Sequence, residues 1–287
     1  MIAALKPGVL TKLMIVGRRA PLDRTPAHAY EDVEFPAADG VGLSGWFIPA
    51  EGEGRGPAVV FAHGWLWNRL GNVAGQVPVP DKDVDFLPAA DALRTAGYHV
   101  LLFDLSNHGR SGRRLPITYG MNEAADVAGA VAYLGARAEV DPKRIGILGC
   151  SMGANAAIYA RPPVKAILAV QPARLAHFNR NYARDELGAL GPTMLRPVDP
   201  LYKLMGAPRP RDHNPAVPAR GLAPSTVVQY VQGTGDPWGE MRDVEAMVEA
   251  TPNALPLIRY ESDGRYEGYR YVNEQVDDVA AFFATNL

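Results

Sequence analysis

Gly149-Cys150-Ser151-Met152-Gly153 fits G-x-S-x-G, the one stretch of the chain whose residue types and spacing point directly to chemistry. The motif demands a buried strand before it and a helix after it. Ile145-Gly146-Ile147-Leu148 supplies the first, and the small residues Ala154–Ala160 supply the second. Glycines on both sides allow a turn sharp enough for the serine oxygen to stand clear at the carboxyl end of the strand. A glycine-rich strand–helix turn with an incidental serine is the competing reading. Cys150, the single cysteine, reads as a packed small residue, and alone it forbids an intrachain disulfide or a cysteine-based zinc site. The six histidines are scattered, without a paired spacing such as H-x-x-x-H, so no metal constellation is expected. No lysine follows the glycines, which excludes a phosphate loop.

The elements that must position Ser151 alternate along the chain. Ala58–Ala62, His99–Phe103, Ile145–Leu148, Ala166–Val170, Thr226–Val231 and Leu257–Tyr260 are short apolar runs, read as buried strands. Between and after them, helical spacing is expected over Pro88–Thr95, Glu123–Ala136, Ala154–Ala160, Met241–Val248 and Glu274–Ala284. This alternation predicts a mostly parallel sheet with helices on both faces. Tyr30–Phe35 and Leu43–Ile48, joined around Asp39-Gly40, predict an antiparallel hairpin at its start. Residues 172–222 break the pattern. They hold eight of the 25 prolines and eight Lys/Arg against four Asp/Glu. A structureless loop of this length is improbable in a compact domain, so a single domain over 1–287 with an inserted cap at 172–222 is expected. The plain reading of that charge is a solvated insertion; the sharper one is a cap whose arginines favour anionic or polar substrates.

With strand, turn and helix in place, the chain resembles the α/β-hydrolase superfamily over nearly its whole length. His63-Gly64-Trp65 looks like the family's oxyanion loop, and Asp104 to Gly112 looks like its D-x-x-x-H-G-x-S-G turn. Gly120, Glu123 and Asp126 match a subgroup with esterase-like and peptidase-like members. The resemblance implies an α/β-hydrolase fold of about eight strands. It also implies an oxyanion hole from the backbone N–H groups of Trp65 and Met152, each such donor being worth about 10²–10³ in rate. Gly233-Thr234-Gly235-Asp236 matches the family's acid turn, which makes Asp236 the triad acid, with a turn-forming role beside Pro237 as the alternative. His63 and His108 would orient loops. His63, Gly64 and Tyr266 are further candidates to line the site.

The triad's third member is missing. None of His28, His63, His99, His108, His177 and His213 follows Asp236. In the family the histidine lies after the last strand, and there this chain reads Glu261-Ser262-Asp263-Gly264-Arg265-Tyr266-Glu267-Gly268. Arg265 takes the histidine's place, and a guanidinium cannot be deprotonated to accept the serine proton. Tyr266, with an ordinary pKa near 10, is a poor base at neutral pH. His177 or His213 could reach Ser151 from the cap.

Composition removes other classes. A formal net charge of −2, from 29 basic and 31 acidic residues, gives no electrostatic reason to bind nucleic acid. No apolar run is long enough to span a membrane. Leu13–Val16 is apolar, but Lys6, Pro7, Gly8 and Lys12 interrupt what would be a signal-peptide core, and Arg18-Arg19 follow the apolar patch instead of preceding it. Leu10–Val16 is expected as a short amphipathic helix packed on the domain, with a membrane-surface anchor as the competing reading, and the cytoplasm is the default compartment. No cofactor is expected, and a homodimer stays open. Three functional readings remain: an ester-cleaving serine hydrolase, also able to take amides or thioesters, with Ser151 as nucleophile; a small-molecule binding protein that has lost the chemistry; and a different reaction in which Arg265 holds an anionic substrate.

Overall fold

The computed structural model describes residues 7–52, 54–76 and 81–287. Eight strands form one sheet: β1 (Glu31–Pro36), β2 (Gly42–Ile48), β3 (Gly56–Ala62), β4 (His99–Phe103), β5 (Val140–Cys150), β6 (Ala166–Val170), β7 (Val227–Gly233) and β8 (Ile258–Tyr260). Their spatial order is β1-β2-β4-β3-β5-β6-β7-β8. β2 pairs antiparallel with β1 and with β4, and every other pairing is parallel. Each residue of β4 and of β6 is buried, as expected where a strand is covered on both faces.

Helices cover both faces. α2 (Leu87–Thr95) and α9 (Val276–Asn286) pack one core, around Phe61, Phe86 and Phe283. α3 (Ala124–Ala136) and α4 (Met152–Ala160) pack the other, around Phe47, Leu101, Ile147 and Leu134. α7 (Met241–Ala250) joins that second core through Val244 and Met247. β5 is longer than its apolar run, because the polar stretch Asp141–Arg144 is also extended.

The segment at 172–222 is helical: α5 (Leu175–Leu187), α6 (Val198–Leu204) and shorter turns at Gly188–Leu190, Gly191–Met194, Pro210–Asp212 and Ala216–Ala219. Its prolines fall largely at the starts of these short pieces, where a missing N–H costs nothing. α1 (Pro7–Val16) lies on the domain: Met14 is buried, and Ile117 N–H donates to the Ile15 carbonyl at 3.0 Å. No helix among the described residues is long and apolar enough to cross a membrane.

Candidate active site

Ser151 follows the last residue of β5 and precedes α4, with φ 51° and ψ −112°. A positive φ is unusual for a residue with a Cβ, and the neighbouring glycines explain how the chain tolerates it. A Cβ on Gly149 would stand 2.7 Å from the Ala154 nitrogen, and one on Gly153 would stand 2.1 Å from the Ala62 carbonyl oxygen. The turn is therefore pressed against both α4 and the end of β3. Ser151 N–H donates to the Val170 carbonyl at 2.9 Å, and the Ser151 carbonyl accepts from Asn155 N–H at 2.9 Å. Cys150 is fully buried, and that burial pushes its thiol up despite the nearby Arg265 cation, so it stays protonated.

Asp236 lies in the turn after β7, beside the same sheet edge. Its Oδ1 accepts from the backbone N–H groups of Trp238 and Gly239, both at 3.0 Å. Its Oδ2 accepts from Gln232 Nε2 at 3.0 Å and from Arg265 Nη1. Arg265 opens the short helix α8 (Arg265–Tyr269) after β8, so the expected loop is in fact the start of a helix. Its second nitrogen, Nη2, donates to the Gln171 carbonyl at 2.9 Å and to Ser151 Oγ at 3.3 Å. The guanidinium also stands over the Phe178 ring at 4.8 Å and the Tyr269 ring at 5.0 Å. Burial works against its charge, but the adjacent Asp236 carboxylate holds it firmly cationic. The side chains of the pair are only 3% and 1% exposed, so the interaction is shielded from water.

No histidine stands at Ser151. Nε2 of His63 accepts from Leu105 N–H at 3.0 Å and its Nδ1 donates to the Gly64 carbonyl at 2.7 Å. His108 accepts from Leu66 N–H at 3.2 Å and donates to the Ser106 carbonyl at 2.9 Å. His213 accepts from Leu175 N–H at 3.1 Å and reaches the Tyr119 carbonyl at 3.0 Å. His177 donates to Asp243 at 2.7 Å. Burial pushes His63 down, His108 to about 3 and His213 to about 4, so all three are neutral at pH 7. Tyr266 and Tyr269 are no better as bases, since burial pushes both phenols up.

Two adjoining cavities meet at Ser151. One, a narrow space of about 30 Å³, is walled by Phe178, Tyr182 and Trp238 on one side and Trp67, Tyr266 and Tyr269 on the other, with Arg265 between them. The second, also of about 30 Å³, is lined by Tyr119, Met152, Asn155, Ala173 and Leu175. Trp65, Phe178 and Ser151 border both. Tyr266 lines the first of these cavities. His63 and Gly64 do not: His63 lies fully buried behind the wall, and the ring of Trp67 lies against Gly64. None of the seven arginines of 172–222 lines either cavity, and three of them are ion-paired. Arg180 pairs with Glu240, Arg209 with Asp212 and Arg211 with Asp199.

Residues 59–281 match the alpha/beta hydrolase family. The chain belongs to that family. Among curated relatives, an uncharacterized protein of Mycobacterium tuberculosis is 31% identical over 180 residues, 58% of each chain. The thiohydrolase aneE of Aspergillus aculeatus is 31% identical over 165 residues, 56% of this chain and 47% of that protein. The chain thus spans about half the length of the curated relatives it matches. Among solved structures, the esterase Pf2001 of Pyrococcus furiosus superposes with a TM-score of 0.70 at 22% identity, covering 95% of this chain and 98% of that one.

This alpha/beta hydrolase holds its loops with motif residues and with others, such as Arg69 and Gln171, that no motif reveals. Arg69 is wholly buried and ion-paired with Asp104 at 2.7 Å. Asp104 also accepts from Arg69 N–H at 2.8 Å and Arg110 N–H at 2.9 Å. The pair therefore ties the loop carrying Trp65 to the turn carrying His108. Glu123 accepts from Thr118 N–H at 3.0 Å and Gly120 N–H at 2.8 Å, while Asp126 accepts from Ser106 N–H at 2.8 Å. Gln171 fastens α8 by donating to the Arg265 carbonyl at 2.5 Å. His177, Glu240 and Asp243 come close enough to hold a cation, but Arg180 and Arg242 already neutralise Glu240.

Proposed function

We propose that the protein is a slow serine esterase, with Ser151 as nucleophile and the backbone N–H groups of Trp65 and Met152 as the oxyanion hole. Carboxylic esters are its substrates, with thioesters and amides behind them, and the helices of 172–222 act as its lid. Ser151 Oγ bonds to the acyl carbon, and the carbonyl oxygen takes up negative charge facing the two N–H donors. The alcohol then leaves with a proton from solvent, and water releases the acyl group from Ser151. The serine proton goes to water or hydroxide, because Arg265 cannot take it. Arg265 donates to Ser151 Oγ and so favours the alkoxide, while Asp236 anchors the guanidinium and cancels part of that help.

The supporting observation is a serine on a positive-φ elbow, open to a cavity, with a cation 3.3 Å from its oxygen. Fluorophosphonate labelling followed by a panel of p-nitrophenyl esters of different chain length tests the proposal. Slow labelling and slow turnover, both lost in Ser151→Ala, are expected. The same Arg265 contact favours a second reading, a binding protein that keeps the pocket without the chemistry. Labelling no faster than in Ser151→Ala would establish that reading instead.

A further inference from the structure

Little room is left at Ser151. Each of the two spaces that meet there measures about 30 Å³, room for about one water molecule, so an ester reaches the serine only when part of the wall moves. The wall of the first space is fixed. Arg265 fills the gap between the Phe178 and Tyr269 rings, held there by Asp236 and by the Gln171 carbonyl. The cap is fastened along α5 by bonds to charged groups: His177 to Asp243 at 2.7 Å, Arg180 to Glu240 at 2.8 Å, and Trp238 Nε1 to Asp185 at 2.9 Å. Bonds of this kind are roughly twice as strong as neutral ones.

The second space is bordered by Trp65 and Tyr119, and these two are held differently. The last turn of a helix leaves carbonyls without partners inside the helix. At the end of α1 the domain supplies partners. Trp65 Nε1 donates to the Leu13 carbonyl at 3.3 Å, Tyr119 Oη to the Met14 carbonyl at 3.4 Å and Ile117 N–H to the Ile15 carbonyl at 3.0 Å. The Trp65 and Tyr119 rings also lean on each other, with centroids 5.7 Å apart. All three bonds to α1 are neutral, and two of them are long. A helix of ten residues is too short to persist alone in water, so α1 stays folded only while docked. The Arg69–Asp104 pair, by contrast, keeps the backbone of the Trp65 loop where it is.

We infer that α1 is a strap that keeps the site shut: when its last turn lifts, the Trp65 and Tyr119 side chains swing out and open the second space to substrate, while the cap stays fastened along α5. This rests on Ser151 being the reacting residue, so one measurement is made without chemistry. In the unmodified protein the Ile117 N–H, bonded to α1, is expected to exchange with solvent about tenfold faster than the Gln171 N–H, which is bonded to the Val231 carbonyl of β7 at 2.7 Å. The second measurement is the rate at which a fluorophosphonate labels Ser151. Tyr119→Phe and, separately, Met14→Ser, which alters the buried side chain of the same turn, are each checked for native circular dichroism. Both are expected to label about fivefold faster, the worth of one neutral hydrogen bond. Arg180→Ala, which loosens α5 instead, should leave the rate unchanged. Ile117 exchanging as slowly as Gln171 would overturn the inference. So would labelling no faster in Tyr119→Phe and Met14→Ser than in the unmodified protein, or faster in Arg180→Ala than in either. Labelling in no form of the protein would instead sink the esterase reading, with Ile117 exchange still deciding whether α1 lifts.

Discussion

Arg265 and Ser151 are joined by a 3.3 Å contact from Nη2 to Oγ, with the carboxylate of Asp236 on the far side of the guanidinium. In the usual serine hydrolase a histidine fills this space and moves the proton. Here the same three positions are connected, but the central group can only donate.

The first prediction concerns that central group. Arg265→His should raise p-nitrophenyl acetate turnover by about 10²-fold or more, the usual worth of a positioned general base. Ser151→Ala should abolish turnover in either background. Unchanged turnover in Arg265→His would mean that Asp236 cannot orient an imidazole there.

The pH profile gives a second test. His63, His108 and His213 are held neutral by burial, so none of them contributes an imidazole step to the rate. Turnover by the unmodified protein should climb steadily from pH 6 to 9 as hydroxide becomes available. Arg265→His should introduce an inflection near the ordinary histidine value of about 6.5. A plateau above pH 7 in the unmodified protein would point to a hidden base.

Acid should weaken the fold through the buried histidines. His213 titrates at about 4 folded against 6.5 unfolded, and His108 at about 3. A depressed folded value means stability fully present above 6.5 and lost as pH falls toward 4. Asp126 acts oppositely, since burial raises it to about 6, so its contribution is present below 3.8 and lost as pH rises through 6. Two imidazoles outweigh one carboxyl, giving a net loss on the order of 3 kcal/mol between pH 7 and 4.5. Urea midpoints at the two values check this, and a midpoint that does not drop refutes it.

Breaking the Arg69–Asp104 pair should be costly. Asp104→Asn leaves a wholly buried guanidinium without its counter-charge, and losing one partner of a buried pair costs about 3–5 kcal/mol. Because the pair ties down the loop carrying Trp65, esterase activity should fall before the protein melts. Denaturation and turnover measured on the same sample separate the two effects.

Much of the frame was legible because burial on both faces demands unbroken apolar runs. His99–Phe103 and Ala166–Val170 are strands over the residues expected. Ser151 was legible because its turn requires glycine at 149 and 153, and the missing imidazole because no histidine follows Asp236. β5 ran past its apolar run, since Pro142, Lys143 and Arg144 carry no hydrophobic signal. The aromatic walls were hidden for a different reason. Trp67, Phe178, Trp238 and Tyr269 come from four separated segments, and no local pattern announces that they converge. Arg69 was hidden because an arginine reads as surface until its partner is known to be buried beside it.

His213 links the start of the helical segment to the body of the domain. Its ring accepts from Leu175 N–H and holds the Tyr119 carbonyl, so residues 38 positions apart in the chain are clasped at one point. Everything between them, α5 and α6 included, leaves and re-enters the domain through a closed neck. Between those ends the segment is stitched down again, by Tyr202 Oη donating to the Ile117 carbonyl at 2.8 Å and by Asp185 accepting from Trp238 Nε1 at 2.9 Å, so it is sewn along its length and not merely hinged at the neck.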